Sequence, residues 1–239
     1  MKILSINTSF PQRTKNYDKT NKTDFSCLSS VMKQNDIPTF AIKANFVPNF
    51  GKYKKVANIT LTNKDTEMPV IATLRKAHTG DFVSFQISTK RNHEDGFLHM
   101  NLSPIPTRDE FIPKNQNGEA IPEVTHLKSI RGDTYRGIGT SLINAAINES
   151  LRAGKKGELF LKAETGYGRF YSDYRKDDSP IPFYYKMGFK AVDPNIHSLI
   201  KECIKKADYS NLPPSALLIL TEDAVKAKNF QFSKDYRFD

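Results

Sequence analysis

Tyr135-Arg136-Gly137-Ile138-Gly139-Thr140-Ser141-Leu142-Ile143 decides the fold of this 239-residue chain, because a glycine-spaced turn here opens directly into an amphipathic helix. Glycines at 137 and 139 put no Cβ in the way of close approach, and the first amides of a helix have no intrahelical partner. Such a turn converges several N–H groups on one point, an arrangement suited to a phosphate or pyrophosphate. Taken alone, Gly-x-Gly before a helix is a weak signal, since any tight strand-to-helix turn can use it.

The surroundings supply the missing context. Upstream, Glu123-Val124-Thr125-His126-Leu127-Lys128-Ser129-Ile130 interleaves apolar and polar residues and then meets Gly132 and Asp133, as a strand running into a loop would. Downstream, Ile143, Ile147 and Leu151 recur every four residues beside Leu142 and Ala146, and Gly154 stands where a helix would stop. That spacing predicts a helix from about Thr140 to Ala153. Glu158 to Glu164 reads as a short apolar strand. Ser179 and Pro180 then open, and Gly188 closes, a short helix through Phe183-Tyr184-Tyr185-Lys186-Met187, with a strand over Phe189 to Val192 behind it.

Ahead of the loop the texture is all strand: Lys55 to Leu61, Pro69 to Ala77, Phe82 to Thr89 and Gly96 to Leu102. Asn63-Lys64-Asp65, Thr79-Gly80-Asp81 and Asn92-His93-Glu94-Asp95 are hairpin-type links between them. Residues 103–121, rich in proline, read as a loop excursion. Helical spacing over Ile196 to Lys206 and a final strand over Pro214 to Thr221 complete an α/β (α+β) chain, with antiparallel strands first and a strand-helix-strand-helix-strand set afterwards.

In the order and content of these two motifs the chain resembles the GNAT N-acetyltransferase superfamily. That family's acyl-CoA loop has the form Gln/Arg-x-x-Gly-x-Gly/Ala, matched here by residues 134–139, and its later helix carries Phe/Leu-Tyr-x-Lys-x-Gly-Phe, matched by Phe183 to Phe189. The resemblance spans roughly residues 53–221, with its specific part between 123 and 192. It implies a mixed, mostly antiparallel sheet splayed between its fourth and fifth strands, with helices on both faces and the thioester in the V. Thr134 stands where Gln or Arg is usual, and residues 165–179 form a longer link than the family's, without the Asn often found there.

The resemblance also implies an activity: transfer of an acetyl group from acetyl-CoA to a primary amine by direct attack in a ternary complex, with no covalent enzyme intermediate and no metal. Backbone amides of Arg136, Gly137, Ile138, Gly139 and Thr140 would hold the pyrophosphate, with the Thr134 hydroxyl beside them. Lys128, Ser129 and Ile130 would offer the oxyanion donor and the edge that pairs with pantetheine. Tyr184 would protonate the departing thiolate, its phenol keeping a proton at neutral pH, while Tyr185 is structural or faces the acceptor. Glu123 is the candidate base, as a strand-borne carboxylate beside an apolar cleft. Strand alternation sets His126 on the opposite face from Glu123, so only one of them can face that cleft. A CoA-binding module of the same fold that has lost transfer is the alternative.

Composition bounds the remainder. A chain of this length with 38% hydrophobic residues supplies one substantial core. Cys27 and Cys203 lie far apart without metal-ligand spacing, so neither a disulfide framework nor a zinc cluster is suggested. The N-terminus lacks the apolar run of a signal peptide and no segment is apolar for long enough to span a bilayer, which leads to the expectation of a cytoplasmic protein. The net charge of +10 is concentrated at the front, where residues 1–55 hold ten lysines and arginines against three aspartates. Residues 1–50 therefore read as a basic, largely irregular arm, with a short helix near Asp24 to Lys33, ahead of an acetyltransferase-like domain over 51–239. No basic run exceeds Lys54-Lys55 and aromatics are not interleaved with it, which argues against nucleic acid as a partner. The resemblance implies a small-molecule amine or a protein lysine as acceptor, and self-association as a homodimer is compatible with the sequence. Asp173, Asp177 and Asp178, in the excursion over Tyr167 to Asp178, would suit a cationic acceptor.

Overall fold

The structure is a computed structural model and describes residues 50–90, 93–106, 111–164 and 179–227. The arm up to residue 49, with its expected helix, and the excursion over 167–178 lie outside the described residues.

Alternating burial builds the first half of the sheet. Strands β1 (Lys54–Asn63), β2 (Pro69–Thr79), β3 (Phe82–Ser88), β4 (Gly96–Asn101) and β5 (Glu123–Ser129) follow one another as an antiparallel meander. Their register sets Leu74, Ile87, Phe85, Leu98 and Leu127 on one face, where the first four are fully buried. Helix α1 (Ile138–Arg152) covers that face with Leu142, Ile143, Ala146 and Ile147. Because α1 is buried nearly all round, its sequence is apolar beyond one stripe.

After α1 the chain enters the sheet again as β7 (Leu159–Glu164), crosses through α2 (Ile181–Lys186) and β8 (Lys190–Ala191), and returns through α3 (Pro194–Lys206) to β9 (Ser215–Leu220). Asp193 caps α3 by accepting from the amides of Asn195 and Ile196 at 2.8 and 3.4 Å, with Pro194 in the first turn. Together with the short β6 (Tyr135–Arg136), the strands form one mixed sheet in the order β6-β1-β2-β3-β4-β5-β7-β9-β8, in which the β5–β7 pair is parallel.

Four features depart from the sequence reading. Helix α1 begins at Ile138, two residues earlier than expected, with Gly137 as its N-cap at φ 98°. Residues 135–136, read as loop, pair with β1 at Thr62 and Asn63. A further short helix, α4 (Glu222–Ala227), follows β9. The parting of the sheet also lies elsewhere than between the fourth and fifth strands, since β4 and β5 are paired along their length. Five antiparallel strands precede the loop, so the parting falls one junction later, between β5 and β7, which meet only at Glu123 and Phe160.

Candidate functional site

The loop after β5 is folded by its own hydrogen bonds. The amides of Thr134 and Tyr135 both donate to the Arg131 carbonyl, at 3.1 and 2.9 Å, and the Lys64 amide donates to the Thr134 carbonyl at 2.9 Å. Gly137 then takes a left-handed conformation that side chains disfavour, and its carbonyl accepts the first helical bond, from the Ser141 amide at 2.9 Å. Hence the amides of Ile138, Gly139 and Thr140 have no partner one turn back within the helix. They open on a cavity of about 200 Å³ lined by Lys64, Ser129, Gly132, Tyr135, Arg136, Gly137, Ile138, Gly139, Thr140 and Phe183.

Six expected cofactor residues therefore come together around one cavity: Ser129, Arg136, Gly137, Ile138, Gly139 and Thr140. The part played by Arg136 differs from the expected amide donor. Asn63 lies opposite Tyr135 and the Lys64 amide reaches the Thr134 carbonyl, so ladder alternation commits the Arg136 amide to Thr62. Its guanidinium grips the Glu67 carboxylate at 2.8 and 3.1 Å in an exposed, bidentate pair. Thr134 is not among the lining residues; it is a turn residue whose amide donates to the Asp133 side chain at 3.0 Å and whose hydroxyl lies 3.5 Å from the same oxygen.

Along β5 the expected donors divide. The Ile130 amide donates to the Asp95 carbonyl at 2.9 Å, and alternation turns the Lys128 amide toward β4 as well. Both amides are thus turned into the sheet, whereas Leu127 and Ser129 present their backbone to the edge where β5 leaves β7. Among the described residues that edge has no sheet partner beyond Glu123, where the Phe160 amide donates to the Pro122 carbonyl at 2.8 Å.

Tyr184 sits on α2 at 5% exposure, packed edge-on between Phe183 and Phe189 with ring centroids 5.1 and 5.6 Å away. Burial raises its pKa well above the ordinary tyrosine value, so the phenol stays protonated. Its neighbour Phe183 lines the loop cavity, which brings α2 to the same end of the molecule as the α1 N-terminus. Tyr185 faces away and stacks on His197 of α3 at 5.6 Å.

Glu123 is 4% exposed at the start of β5. The expectation that His126 lies on the other face from it is overturned by a bulge. His126 pairs with His99 and Val124 with Met100, so Thr125 is an extra residue, and its hydroxyl donates to the His99 carbonyl at 3.3 Å. Since Glu123 lies opposite Asn101, two residues from His99, the bulge brings Glu123 and His126 to one face. Plain alternation could not reveal this, because the extra residue resets the count.

That face lies opposite α1 and carries groups the sequence reading did not single out. The His99 ring stands 5.6 Å from His126, 5.1 Å from Phe50 and 4.9 Å from Phe97. Desolvation, with His126 adding to it, brings the His99 pKa down to about 4, and desolvation lowers that of His126. Lys64 was also overlooked. It lies in a hairpin some seventy residues before the loop and reaches the cavity only because β6 pairs with β1.

Among the described residues no group of three or more His, Cys, Asp or Glu is arranged to hold a metal ion, and no helix is long and apolar enough to cross a membrane. Compared with family models, curated proteins and solved structures, the chain matches none.

Proposed function

We propose that this chain is an acetyl-CoA-dependent N-acetyltransferase acting on a primary amine by direct attack in a ternary complex. The observation that carries the reading is the cavity in front of α1, where the amides of Ile138, Gly139 and Thr140 converge beside Lys64 and the Thr140 side chain. Those donors fit an anion with several oxygens, and the volume suits a diphosphate rather than a whole coenzyme. The remainder of a long ligand would follow the β5 edge at Ser129 and Leu127, which no described strand covers, into the parting from β7.

When bound, acetyl-CoA supplies an acyl group already activated as a thioester. The work left to the protein is to bind, orient and move protons. Ser129 and Leu127 offer backbone pairing, Tyr184 holds a proton at Oη for the departing sulfur, and Glu123 is the carboxylate on the acceptor side. The Tyr184 phenol carries its proton at neutral pH, as this role requires.

Thermal stabilisation by CoA tests the binding step, with about 2.7 kcal/mol expected at a hundredfold excess over the dissociation constant. Free-thiol release from acetyl-CoA with a panel of amines tests transfer. A second reading, a CoA-binding module without transfer, draws on the close packing of Tyr184 among Phe183 and Phe189. Stabilisation by CoA with no amine-dependent thiol release would select it, and absence of stabilisation would remove both readings.

A further inference from the structure

We propose that His126 is the proton acceptor for the incoming amine and that His99, its cross-strand neighbour on the same sheet face, is the residue that positions it. The inference rests on the transfer reading above and deepens it at the acceptor side.

The geometry comes from the bulge at Thr125. Without it His126 would point into the apolar layer under α1; with it, the imidazole emerges on the far face opposite His99. His99 is held on its other sides by Phe50 and Phe97, so its ring is fixed by three neighbours. His126 is touched by one of these rings alone, that of His99. The two imidazoles are close enough that a proton on one disfavours a proton on the other, so the pair takes up a single charge first.

Other charged groups share this face. Glu123 and Lys128 come from β5 itself, Arg75 lies opposite Gln86 two strands away, and Glu94 is bonded to the Gln86 side chain. Tyr53 bonds the Ser84 hydroxyl at 2.7 Å, and its raised pKa keeps it neutral. Of these groups, Glu123 and Lys128 share the strand of His126, and the pKa of that histidine is lowered by desolvation alone. Both histidines are neutral at physiological pH and therefore able to accept.

The step balances as follows. An ammonium nitrogen gives up two protons on becoming an amide. His126 takes the first, which frees the lone pair that forms the N–C bond, and later releases it to water. The C–S bond breaks, its electron pair stays on sulfur, and Tyr184 protonates that sulfur; the second nitrogen proton replaces the one Tyr184 gave.

The test uses the full chain with acetyl-CoA and three probe amines: phenethylamine, spermidine and a lysine-containing peptide. His126→Ala is expected to lower kcat/KM at least a hundredfold, to leave thermal stabilisation by CoA unchanged, and to recover turnover when imidazole is added. His99→Gln is expected to lower turnover less and to move the acidic limb of the pH profile, and the same variant read by histidine NMR must shift the titration of His126. Wild-type turnover with an unimpaired His126→Ala, failure of imidazole to rescue, or an unmoved His126 titration overturns the inference while leaving transfer intact. A wild type that binds CoA and acetylates none of the three probes overturns the transfer reading first, and this inference with it.

Discussion

Gly96 and Ile138 meet at a point where no side chain fits between β4 and the start of α1. A Cβ at position 96 would stand 2.5 Å from Ile138 Cγ2 and 2.8 Å from the Lys128 carbonyl oxygen. The first neighbour is a β-branched side chain in the first turn of the helix and the second is backbone of the adjacent strand, so neither yields cheaply. Gly96→Ala is therefore expected to cost roughly 2–3 kcal/mol. The same change pushes the α1 N-terminus away from Ser129, so stabilisation by CoA should weaken in a variant that still unfolds cooperatively. Unaltered denaturant midpoint and CoA response would show that the contact has slack.

A second contact ties α1 to the sheet further along. Lys76 of β2 and Glu149 of α1 form an ion pair at 2.5 Å, with side chains only 15% and 10% exposed. Removing one partner leaves a poorly solvated charge, Glu149 then keeping, among the described residues, only Arg152 at 3.9 Å, so Lys76→Met or Glu149→Leu alone should lose about 2–4 kcal/mol. The double variant should recover most of that loss, because two apolar side chains of similar length can fill the space. Urea unfolding of the two single variants and the double variant measures the coupling, and additive losses would contradict it.

The histidine pair makes stability depend on pH. An unfolded histidine binds a proton near pH 6.5, whereas His99 in the folded chain does so only near about 4. Between those values the unfolded state holds more protons, so stability is complete above about pH 6.5 and falls as the pH drops through that window. The loss has an upper bound of ~3 kcal/mol, reduced by the partial exposure of the ring. His126, lowered in the same direction, adds to the loss. Glu119, Glu202 and Glu222 are lowered from 4.5 by lysine partners and act further toward acid, which separates their contribution. Replacing His99 by Gln should flatten the stability profile between pH 4 and 6.5.

How far the sequence carried the fold depended on how each element is specified. Helix α1 was legible because its apolar spacing and the terminal Gly154 agree within a single segment, and α3 through its spacing from Ile196, although its cap at Asp193 and first turn at Pro194 were not read. The long strands were legible through period two and their turn residues. Strand β6 was not, because two residues have no period and are strand only by pairing with Thr62 and Asn63. The loop cavity was read from Gly137 and Gly139, yet Lys64 needed the tertiary pairing to reach it. The face of His126 was misread for a comparable reason: the insertion of Thr125 is a property of the β4–β5 ladder, and nothing local to β5 marks it.

Tyr184→Phe isolates the phenol from the ring. The aromatic packing against Phe183 and Phe189 is kept, so the fold and CoA binding should survive with little change in unfolding midpoint. What is removed is one proton donor, and loss of general-acid assistance of this kind lowers turnover by about 10²- to 10⁴-fold. KM for acetyl-CoA should stay near the wild-type value, because the hydroxyl acts on charge that develops only as the C–S bond breaks. Burial raises the Tyr184 pKa, so the wild-type profile should show no basic limb from this group below about pH 10. Steady-state thiol release for both proteins across pH 6–10 reads all three quantities at once. A phenylalanine variant with wild-type kcat would remove Tyr184 from the chemistry and leave it a packing residue beneath the loop cavity.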